Sequence, residues 1–304
     1  MQQQGVECDF SSSDSWVILS PIEQSIKRKI EAVGTPLKDW DINIYRGVLT
    51  GYNDAFIIST EKRDEILANC QNEEERKKTA ELIRPILRGR DIKRYGYEWA
   101  DKYIIATFPS RHYDIELYPA VKRHLLSFGK ERLEQTGKTY TIDGEKVKAR
   151  KKTNNKWFET QDSISYWEDF NKPKIIWKRI GSILRFSYDV KGHFGLDSTC
   201  FATGQHMAYL CCILNSLMGH YMFKDSPKTG TGDLLVSVQA IEPIMIPLNK
   251  EIEKIFKKLL IEVLEQDSKK AEKEINRLAF KLYDLSPEEI GYITGFVTQS
   301  QQSQ

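Results

Sequence analysis

The sequence predicts an α+β protein in which a β-rich domain follows a connecting helix and precedes a helical tail. Apolar and polar residues alternate in several short segments before residue 250, and this two-residue period is typical of half-buried strands. Beyond residue 250, apolar residues recur three and four positions apart in a highly charged segment, as in amphipathic helices. The chain has 304 residues, of which 40% are hydrophobic and 29% are charged, so it can bury a sizeable core.

The first helix is predicted at 20–33. Ser20 suits the N-cap, Pro21 suits the first helical position, and Glu23 is placed to complete a capping box. Gly34 provides the stop. The apolar residues of this segment form one narrow stripe, so we expect a helix that lies on a surface or connects two domains.

Strand candidates begin at Trp40. Residues 40–49 alternate apolar and polar side chains, and the TGYND segment that follows (50–54) predicts a tight hairpin turn, because Gly51 and Asn53 tolerate positive φ. We expect the next strand to begin at Ala55 and Phe56. The later elements are predicted as a charged helix at 72–83 stopped by Pro85, a strand at 102–108, a helix at 119–128, a meander at 173–203, a buried helix at 206–223 and β structure at 230–248.

We divide the chain into three parts. Residues 1–37 are interpreted as a linker and connecting helix, residues 38–250 as the β-rich domain, and residues 251–304 as a C-terminal helical segment. The tail pattern from about 249 to 284 fits two charged helices or one long one. A short capped turn at 286–289 is expected to close it.

The local patterns that mark common enzymes are missing. The sequence has no nucleophile elbow, no Walker-type phosphate loop and no H-E-x-x-H motif. The glycines at 229–233 precede a strand and are better explained as a turn, and Glu145 and Lys148 are one residue too far apart for the E-x-K of magnesium-dependent nucleases. We therefore expect no catalytic residue, cofactor site or metal site in this chain.

The cysteines and the hydropathy of the sequence indicate the cellular compartment of the protein. The five cysteines and five histidines have no ligand spacing, and an odd number of cysteines without a framework fits a reducing environment. No segment approaches a membrane span. A cytoplasmic protein without membrane contact is expected.

The net charge of +2 excludes a general polycation, so any affinity for nucleic acid requires local clusters. The first cluster is KVKARKKTNNKW (146–157), which holds six basic residues and no acid. Its cations could neutralise phosphates and its amides could reach base edges, although a solvated, mobile loop explains the composition equally well. The DNA-contact candidates in this segment are Lys148, Arg150, Lys151, Lys152, Asn154 and Asn155.

Two further basic clusters lie at 84–99 and 178–185. The planar guanidinium of arginine matches the guanine edge in the major groove, and Gly89 would let the backbone come close. Alternatively, Arg90 and Asp91 form a structural ion pair that locks the turn. The DNA-contact candidates of these two clusters are Arg88, Arg90, Lys93, Arg94, Lys178, Arg179 and Arg185.

Several motifs occur in a distinctive order and spacing. They are RGVLTGYNDAFII (46–58), RPILRGRDIKRYG (84–96), IELYPAVKRHLLSF (115–128), DSTCFAT (197–203), YLCCILNSLMGHYMF (209–223) and IEPIMIPL (241–248). Together they resemble the TaqI-like C-terminal specificity domain, or target recognition domain, of adenine-N6 DNA methyltransferases and of fused type IIG restriction–modification enzymes. The resemblance covers residues 38–250 and the tail INRLAFKLYDLSPEEI (275–290).

This resemblance implies sequence-specific recognition of double-stranded DNA on behalf of a catalytic domain. In the family, a methyltransferase precedes this domain, binds S-adenosylmethionine and flips the target adenine through an N-P-P-Y-type motif, which this sequence lacks. The expected partner is thus a methyltransferase domain or subunit upstream, and Mg²⁺ would be needed only by a fused nuclease. The shared residues Gly47, Thr50, Gly51 and Asn53 are expected to shape the backbone, while the variable loops read DNA.

Two other functions remain open from the sequence. The charged tail helices could assemble subunits, in which case the basic loops are merely solvated. The chain could also be a nuclease itself, which the missing acidic cluster disfavours.

Overall fold

The structure is a computed structural model that describes residues 19–302, so the predicted linker at 1–18 lies outside the described residues. The α-helices among the described residues are α1 (Pro21–Val33), α2 (Asn53–Phe56), α3 (Thr60–Ala68), α4 (Glu73–Leu82), α5 (Pro119–Leu126), α6 (Lys130–Leu133), α7 (Met207–Asn215), α8 (Leu217–Met222), α9 (Val238–Ile241), α10 (Lys250–Gln266), α11 (Lys269–Leu282) and α12 (Pro287–Gln302). Short 3-10 helices occupy Leu37–Asp39, Gly89–Asp91, Pro109–Arg111, Ile115–Leu117 and Trp167–Asn171.

The strands form two four-stranded sheets and three two-stranded pairings within the described part of the chain. They are β1 (Thr35–Pro36), β2 (Ile42–Arg46), β3 (Ile57–Ser59), β4 (Ile83–Leu87), β5 (Lys102–Ile105), β6 (Thr139–Ile142), β7 (Glu145–Lys148), β8 (Lys174–Lys178), β9 (Ile180–Gly181), β10 (Phe186–Asp189), β11 (Phe194–Gly195), β12 (Thr199–Gly204), β13 (Leu234–Leu235) and β14 (Met245–Ile246).

The first sheet has the order β10-β8-β12-β2 and is antiparallel throughout. The second has the order β11-β4-β5-β3, in which β11 runs parallel to β4 and the other pairs are antiparallel. The remaining pairings are β1 with β14, β9 with β13, and β6 with β7. This mixture of small sheets and helices confirms the predicted α+β class with a helical tail.

Strand β8 lies between two apolar layers. Ile175 and Trp177 belong to the cluster that packs against α7, whereas Ile176 between them belongs to the cluster shared with the second sheet. Side chains alternate between the two faces of a strand, so three consecutive apolar residues mean that both faces are covered. None of the three is more than 1% exposed.

The tail helices complete the first of these layers. Phe256 and Leu260 of α10 and Ile275 of α11 belong to the same cluster as Trp177 of β8. Of the two tail patterns considered, two separate helices is the one observed, with Asp267 in the left-handed region at φ 46° ending α10. The apolar face formed by these residues is therefore used within the chain, while Ile255, Ile261 and Leu264 of α10 are exposed.

Helix α1 has the predicted start, because Ser20 and Glu23 form the capping box. At the other end of the chain, Ser286 and Glu289 also exchange capping hydrogen bonds, of 2.7 and 3.3 Å. The prediction of a short closing turn is wrong, however: this box opens the 16-residue helix α12. Glu289 also accepts hydrogen bonds from Ser25 and Lys29, so it joins α12 to α1.

The hairpin predicted at TGYND is wrong. Gly51 has the expected positive φ of 77°, but Asn53 begins the single turn of α2, which contains Ala55 and Phe56. The strands on either side, β2 and β3, lie in different sheets, where they pair with β12 and β5. The segment is therefore a crossing between sheets.

Other boundaries also differ from the predictions. Helix α4 ends at Leu82, and Pro85, which was predicted to stop that helix, lies inside β4. The 173–203 segment is not a simple meander, because β12 pairs with β8 on the side away from β10. The buried 206–223 segment is interrupted at Ser216 between α7 and α8, and the 230–248 segment contains α9 as well as short strands.

Within residues 19–302, none of the helices combines the length and apolar character that a membrane crossing requires.

Candidate nucleic-acid interface

Basic residues of several strands meet at one end of the first sheet. Strand β2 ends at Arg46 and β8 ends at Lys178, and these strands flank the start of β12, where Thr199 pairs with Lys178 and Cys200 pairs with Arg46. On the outer strand β10, Arg185 precedes Phe186, which pairs with Trp177. Arg46, Lys178 and Arg185 are far apart in the sequence but lie along the same edge.

The turn that follows β4 packs beside this edge. The amide of Gly89 donates a 3.0 Å hydrogen bond to Ser198 Oγ, and a Cβ at Gly89 would lie 3.0 Å from Lys178 Cγ. Arg179 is held next to the same loop, since its amide donates to the carbonyl of Ser198 at 2.9 Å. The Arg88–Asp91 turn and the end of β8 thus form one surface.

Asp91 does not pair with Arg90 as one interpretation of the sequence predicted. Its carboxylate accepts two hydrogen bonds from the guanidinium of Arg88, of 3.0 and 2.7 Å, and a third from the Arg88 amide at 2.8 Å. Arg90 is exposed. These three hydrogen bonds lock the turn, and the bond to Asp91 raises the pKa of Arg88, while the exposed Arg90 remains available to a ligand.

Arg46 lies among acidic and basic groups. Its Nη2 is 3.8 Å from Asp197 Oδ2. Burial raises the pKa of the nearby Asp162 carboxyl, and the charges of Arg46 and Lys151 act in the opposite direction. Gln161 Nε2 donates to the carbonyl of Lys151 at 3.1 Å, and the Asp162 amide donates to the carbonyl of Leu49 at 3.2 Å, so the basic segment that contains Lys151 approaches the same end of the sheet.

Two of these arginines have an unsatisfied donor. The Nε atoms of Arg46 and Arg179 are buried and have no hydrogen-bond partner within residues 19–302. A buried N–H without an acceptor costs free energy and calls for a physical explanation such as a bound group. We name Arg46, Arg88, Arg90, Lys178, Arg179 and Arg185 the basic end of the first sheet.

The 146–157 cluster is partly a hairpin. Strands β6 and β7 are joined by Asp143 and Gly144, both at positive φ, and β7 ends at Lys148. Lys148, Lys151, Lys152 and Asn154 are exposed, as a phosphate contact requires. Of these residues, Lys151 lies nearest to the basic end, because its carbonyl accepts a 3.1 Å hydrogen bond from Gln161, whose backbone amide donates to Leu49 O.

Arg150 of the same cluster has a structural role that excludes the predicted DNA contact. It is 4% exposed, and its guanidinium donates hydrogen bonds to the carbonyls of Thr50 and Glu159 at 2.7 Å and of Leu133 at 2.9 Å. A fourth bond, of 2.7 Å, goes to Trp157 O. Burial lowers the pKa of Arg150 to about 10.

Asn155 is corrected for the same reason. Its side-chain amide donates to the carbonyls of Thr160 and Gln161, at 3.3 and 2.9 Å, so this group closes a loop and has no free donor for a base edge. The neighbouring Asn154 is exposed.

Lys93 and Arg94 are both paired with acidic side chains. The Arg94 guanidinium contacts Glu272 of α11 at 2.8 Å and the carbonyl of Asn215 at 3.0 Å, so it joins the sheet domain to the tail. Lys93 pairs with Glu98 at 3.0 Å. The interpretation of Arg94 as a DNA contact is replaced by this internal bridge, and Lys93 is left with a surface ion pair.

Arg46 was missed by reasoning from the sequence. It is the first residue of the RGVLTGYND motif, but a single basic residue at the end of an alternating strand carries no local signal. The structure shows why a glycine follows it, since a Cβ at Gly47 would lie 2.0 Å from the carbonyl oxygen of Leu196. That contact brings the 46–50 segment against the 195–198 turn.

The described residues contain no cluster of metal-binding side chains near the basic end. Among residues 19–302, no group of three or more His, Cys, Asp and Glu side chains could hold a metal ion. Burial raises the pKa of the Cys200 thiol, next to Arg46 in the sheet, to about 11, which disfavours the reactive thiolate.

Comparison with known proteins extends these observations. The type IIL restriction-modification enzyme MmeI, solved in complex with DNA, has a similar fold, with a TM-score of 0.55 and 10% sequence identity over 89% of this chain and 36% of that chain. For the type IIG restriction endonuclease BpuSI, the TM-score is 0.46 and the identity is 13%, over 88% of this chain and 33% of that chain. This chain therefore spans about a third of the length of either enzyme. No curated protein sequence matches it.

A family match covers more than half of the chain. Residues 84–248 match the TaqI-like C-terminal specificity domain. The matched range contains the Arg88–Asp91 turn, β8 and the start of β12, which together supply most of the basic end. The resemblance inferred from the motifs is confirmed, and the chain belongs to the family of TaqI-like C-terminal specificity domains.

Proposed function

We propose that this chain is the sequence-specific DNA recognition module of a restriction–modification enzyme. The observation that carries the proposal is the basic end of the first sheet. In a protein with a net charge of only +2, it gathers arginines and a lysine from three strands and one turn. Two of its guanidinium groups retain a buried donor that has no acceptor in the described part of the chain. Family membership adds independent support.

The basic end has the two kinds of group that a DNA reader needs. Exposed cations such as Arg90 and Lys178 can neutralise phosphates and set the position on the duplex. The backbones of Arg46 and Arg179 are held by strand pairing and by the 195–198 turn, so these residues are positioned to present their guanidinium groups to a base edge. Positioning and sequence reading are thereby assigned to different residues of one surface.

We further propose that the module directs an adenine-N6 methyltransferase, as a domain or subunit upstream, to its site. S-adenosylmethionine would bind to that methyltransferase, and Mg²⁺ would serve a fused nuclease if one is present. The support is the resemblance of the motifs, and no residue of this chain is assigned to either cofactor. A cytoplasmic location follows from this role.

Assembly through the tail helices is the less favoured alternative. The buried residues of α10 and α11 already pack against α7 and the first sheet. The face that they form is not available to recruit a separate subunit, which leaves only the exposed Ile255, Ile261 and Leu264 of α10 as apolar contacts on that helix among the described residues.

The proposal is tested by measuring affinity for a randomised duplex library and for the sequences that selection enriches from it. We expect a preferred sequence to bind more tightly than the starting library. Exchange of Arg46 and Arg179 for glutamine, R46Q/R179Q, should reduce that preference at least tenfold, because a lost bidentate contact costs about 1–3 kcal/mol.

The matched control is R277Q, since Arg277 is an exposed arginine of α11 whose ion pair is a local one, with Glu274 three residues before it. It should bind as the unchanged protein does. Failure of selection to enrich any sequence at low salt, or equal loss in R277Q, would contradict the proposal.

A further inference from the structure

A second candidate site lies at the opposite end of β4 from the Arg88–Asp91 turn. A cavity of about 310 Å³ opens there between α4, the 106–113 segment, the Trp167–Asn171 helix and β11. Arg84 and Arg88 are separated by four residues of extended chain, roughly 13 Å. The cavity therefore does not belong to the basic end. Its walls include Arg84, Arg111, Tyr113, Tyr118, Trp167 and Phe194.

The walls are aromatic and cationic at once. Arg111 lies over the ring of Trp167, with 3.9 Å from its guanidinium carbon to the ring centroid, and Tyr113 meets Tyr118 edge to face. Lys78, Arg84 and Arg111 border the cavity against one acid, Glu81. Lys78 is already paired with Glu74 at 2.6 Å, so two arginines against one acid leave the cavity with an excess of positive charge.

Arg84 is fixed but not fully satisfied. Its Nη2 donates to Asn171 Oδ1 at 2.7 Å, and its guanidinium lies 5.6 Å from the centroid of Phe194. Its Nε is buried and has no hydrogen-bond partner within residues 19–302. A preorganised guanidinium with an unused buried donor on the wall of a cavity is suited to an anion.

We propose that this cavity binds a nucleotide. Its phosphate would lie between Arg84 and Arg111, and its base against the aromatic walls. Aromatic rings and guanidinium planes are the groups on which unpaired bases stack, and Arg is the preferred partner of phosphate. The volume is at the lower limit of the range of about 300–1,000 Å³ typical of small-molecule sites. The same chemistry fits a free mononucleotide or an unpaired nucleotide of a DNA strand.

Calorimetric titration of the whole chain with each of the four deoxynucleoside monophosphates tests the site. Inorganic phosphate and the matching deoxynucleosides are titrated separately, because each carries only one part of the nucleotide. We expect at least one monophosphate to bind with a Kd below 1 mM and at least tenfold more tightly than either phosphate or the deoxynucleoside, because both the phosphate charge and the base contribute to binding. A tetranucleotide that competes for the site and binds more tightly than the monophosphate would assign the site to a DNA strand. A tetranucleotide that binds more weakly than the monophosphate would assign it to a free nucleotide.

Two variants and a matched control locate the binding. R84Q and R111Q should each weaken it at least fivefold, and R111Q changes an exposed residue, so its folding is not in question. Arg132 also lies over an aromatic ring, that of Tyr52 at 5.5 Å, but outside the cavity, so R132Q should leave binding unchanged.

No binding of any monophosphate, phosphate alone binding as tightly, or an unchanged R111Q would each overturn the proposal. These outcomes are separable from those of the DNA-recognition proposal, because R46Q/R179Q alters only the basic end and should retain nucleotide binding.

Discussion

Arg150 and Lys151 are adjacent cations with different surroundings. Lys151 is exposed and lies near Asp162, whereas Arg150 is buried among backbone carbonyls from four separate positions, Leu133, Thr50, Glu159 and Trp157. A basic run in the sequence gives no indication of which member turns inward, because the acceptors of Arg150 come from segments up to 100 residues away. The charge pattern located the cluster but not the role of each residue.

Arg150→Ala is expected to destabilise the protein by about 3 kcal/mol or more, because it leaves several buried carbonyls without donors. The free energy of unfolding from urea titration measures this. K151A, which changes the exposed neighbour, should alter stability by less than about 0.5 kcal/mol. Equal effects of the two substitutions would show that the Arg150 guanidinium does not hold this loop together.

At the scale of elements, the helices with local start signals were predicted well. The capping boxes at Ser20 and Ser286 and the proline at the start of α5 are contained in a few consecutive residues. The hydrogen bonds of each capping box join residues only three positions apart, so the local sequence specifies them. The extent of the last helix was missed because its continuation depends on contacts with α8 and α1.

The strands depend on partners that the local sequence does not specify. Pro85 indicated a break, yet it lies in β4, since β11 pairs only with Ile86 and Leu87 and leaves β4 with a neighbour on one side at Pro85. Likewise TGYND looked like a hairpin because its residues suit a turn, but β2 and β3 find other partners. The basic end was unpredictable for the same reason: its residues are brought together only by strand pairing.

The contact between α1 and α12 should depend on pH through Glu289. Burial alone would raise its pKa, but hydrogen bonds from Lys29, the Ser286 amide and Ser25 outweigh burial and lower the pKa to about 2. A carboxyl whose pKa is lower in the folded state stabilises the fold above its unfolded value of about 4.5 and loses this contribution as pH falls toward 2.

We expect up to about 3 kcal/mol of stability to be lost over this range. Urea titrations at a series of pH values should show this loss, and E289Q should reduce the pH dependence there. Glu288, the exposed neighbour, provides the control E288Q. The same acid sensitivity in E289Q and the unchanged protein would assign the effect to other carboxyls.

At the scale of the whole molecule, positive and negative charges nearly balance, so the contribution of each basic cluster to DNA binding can be measured separately. Lys148, Lys151 and Lys152 are exposed and lie on a hairpin and its continuation, so we assign them to phosphates and not to bases. Replacing all three by alanine should weaken binding to every duplex and reduce the slope of log K against log salt concentration by up to about 3, roughly one for each lost phosphate contact. Sequence preference should persist, in contrast to R46Q/R179Q.

The matched control replaces three exposed lysines of the tail, Lys254, Lys258 and Lys270, which removes the same net charge elsewhere. If both triple variants reduce the slope equally, affinity follows total charge, and the hairpin makes no specific contact with DNA.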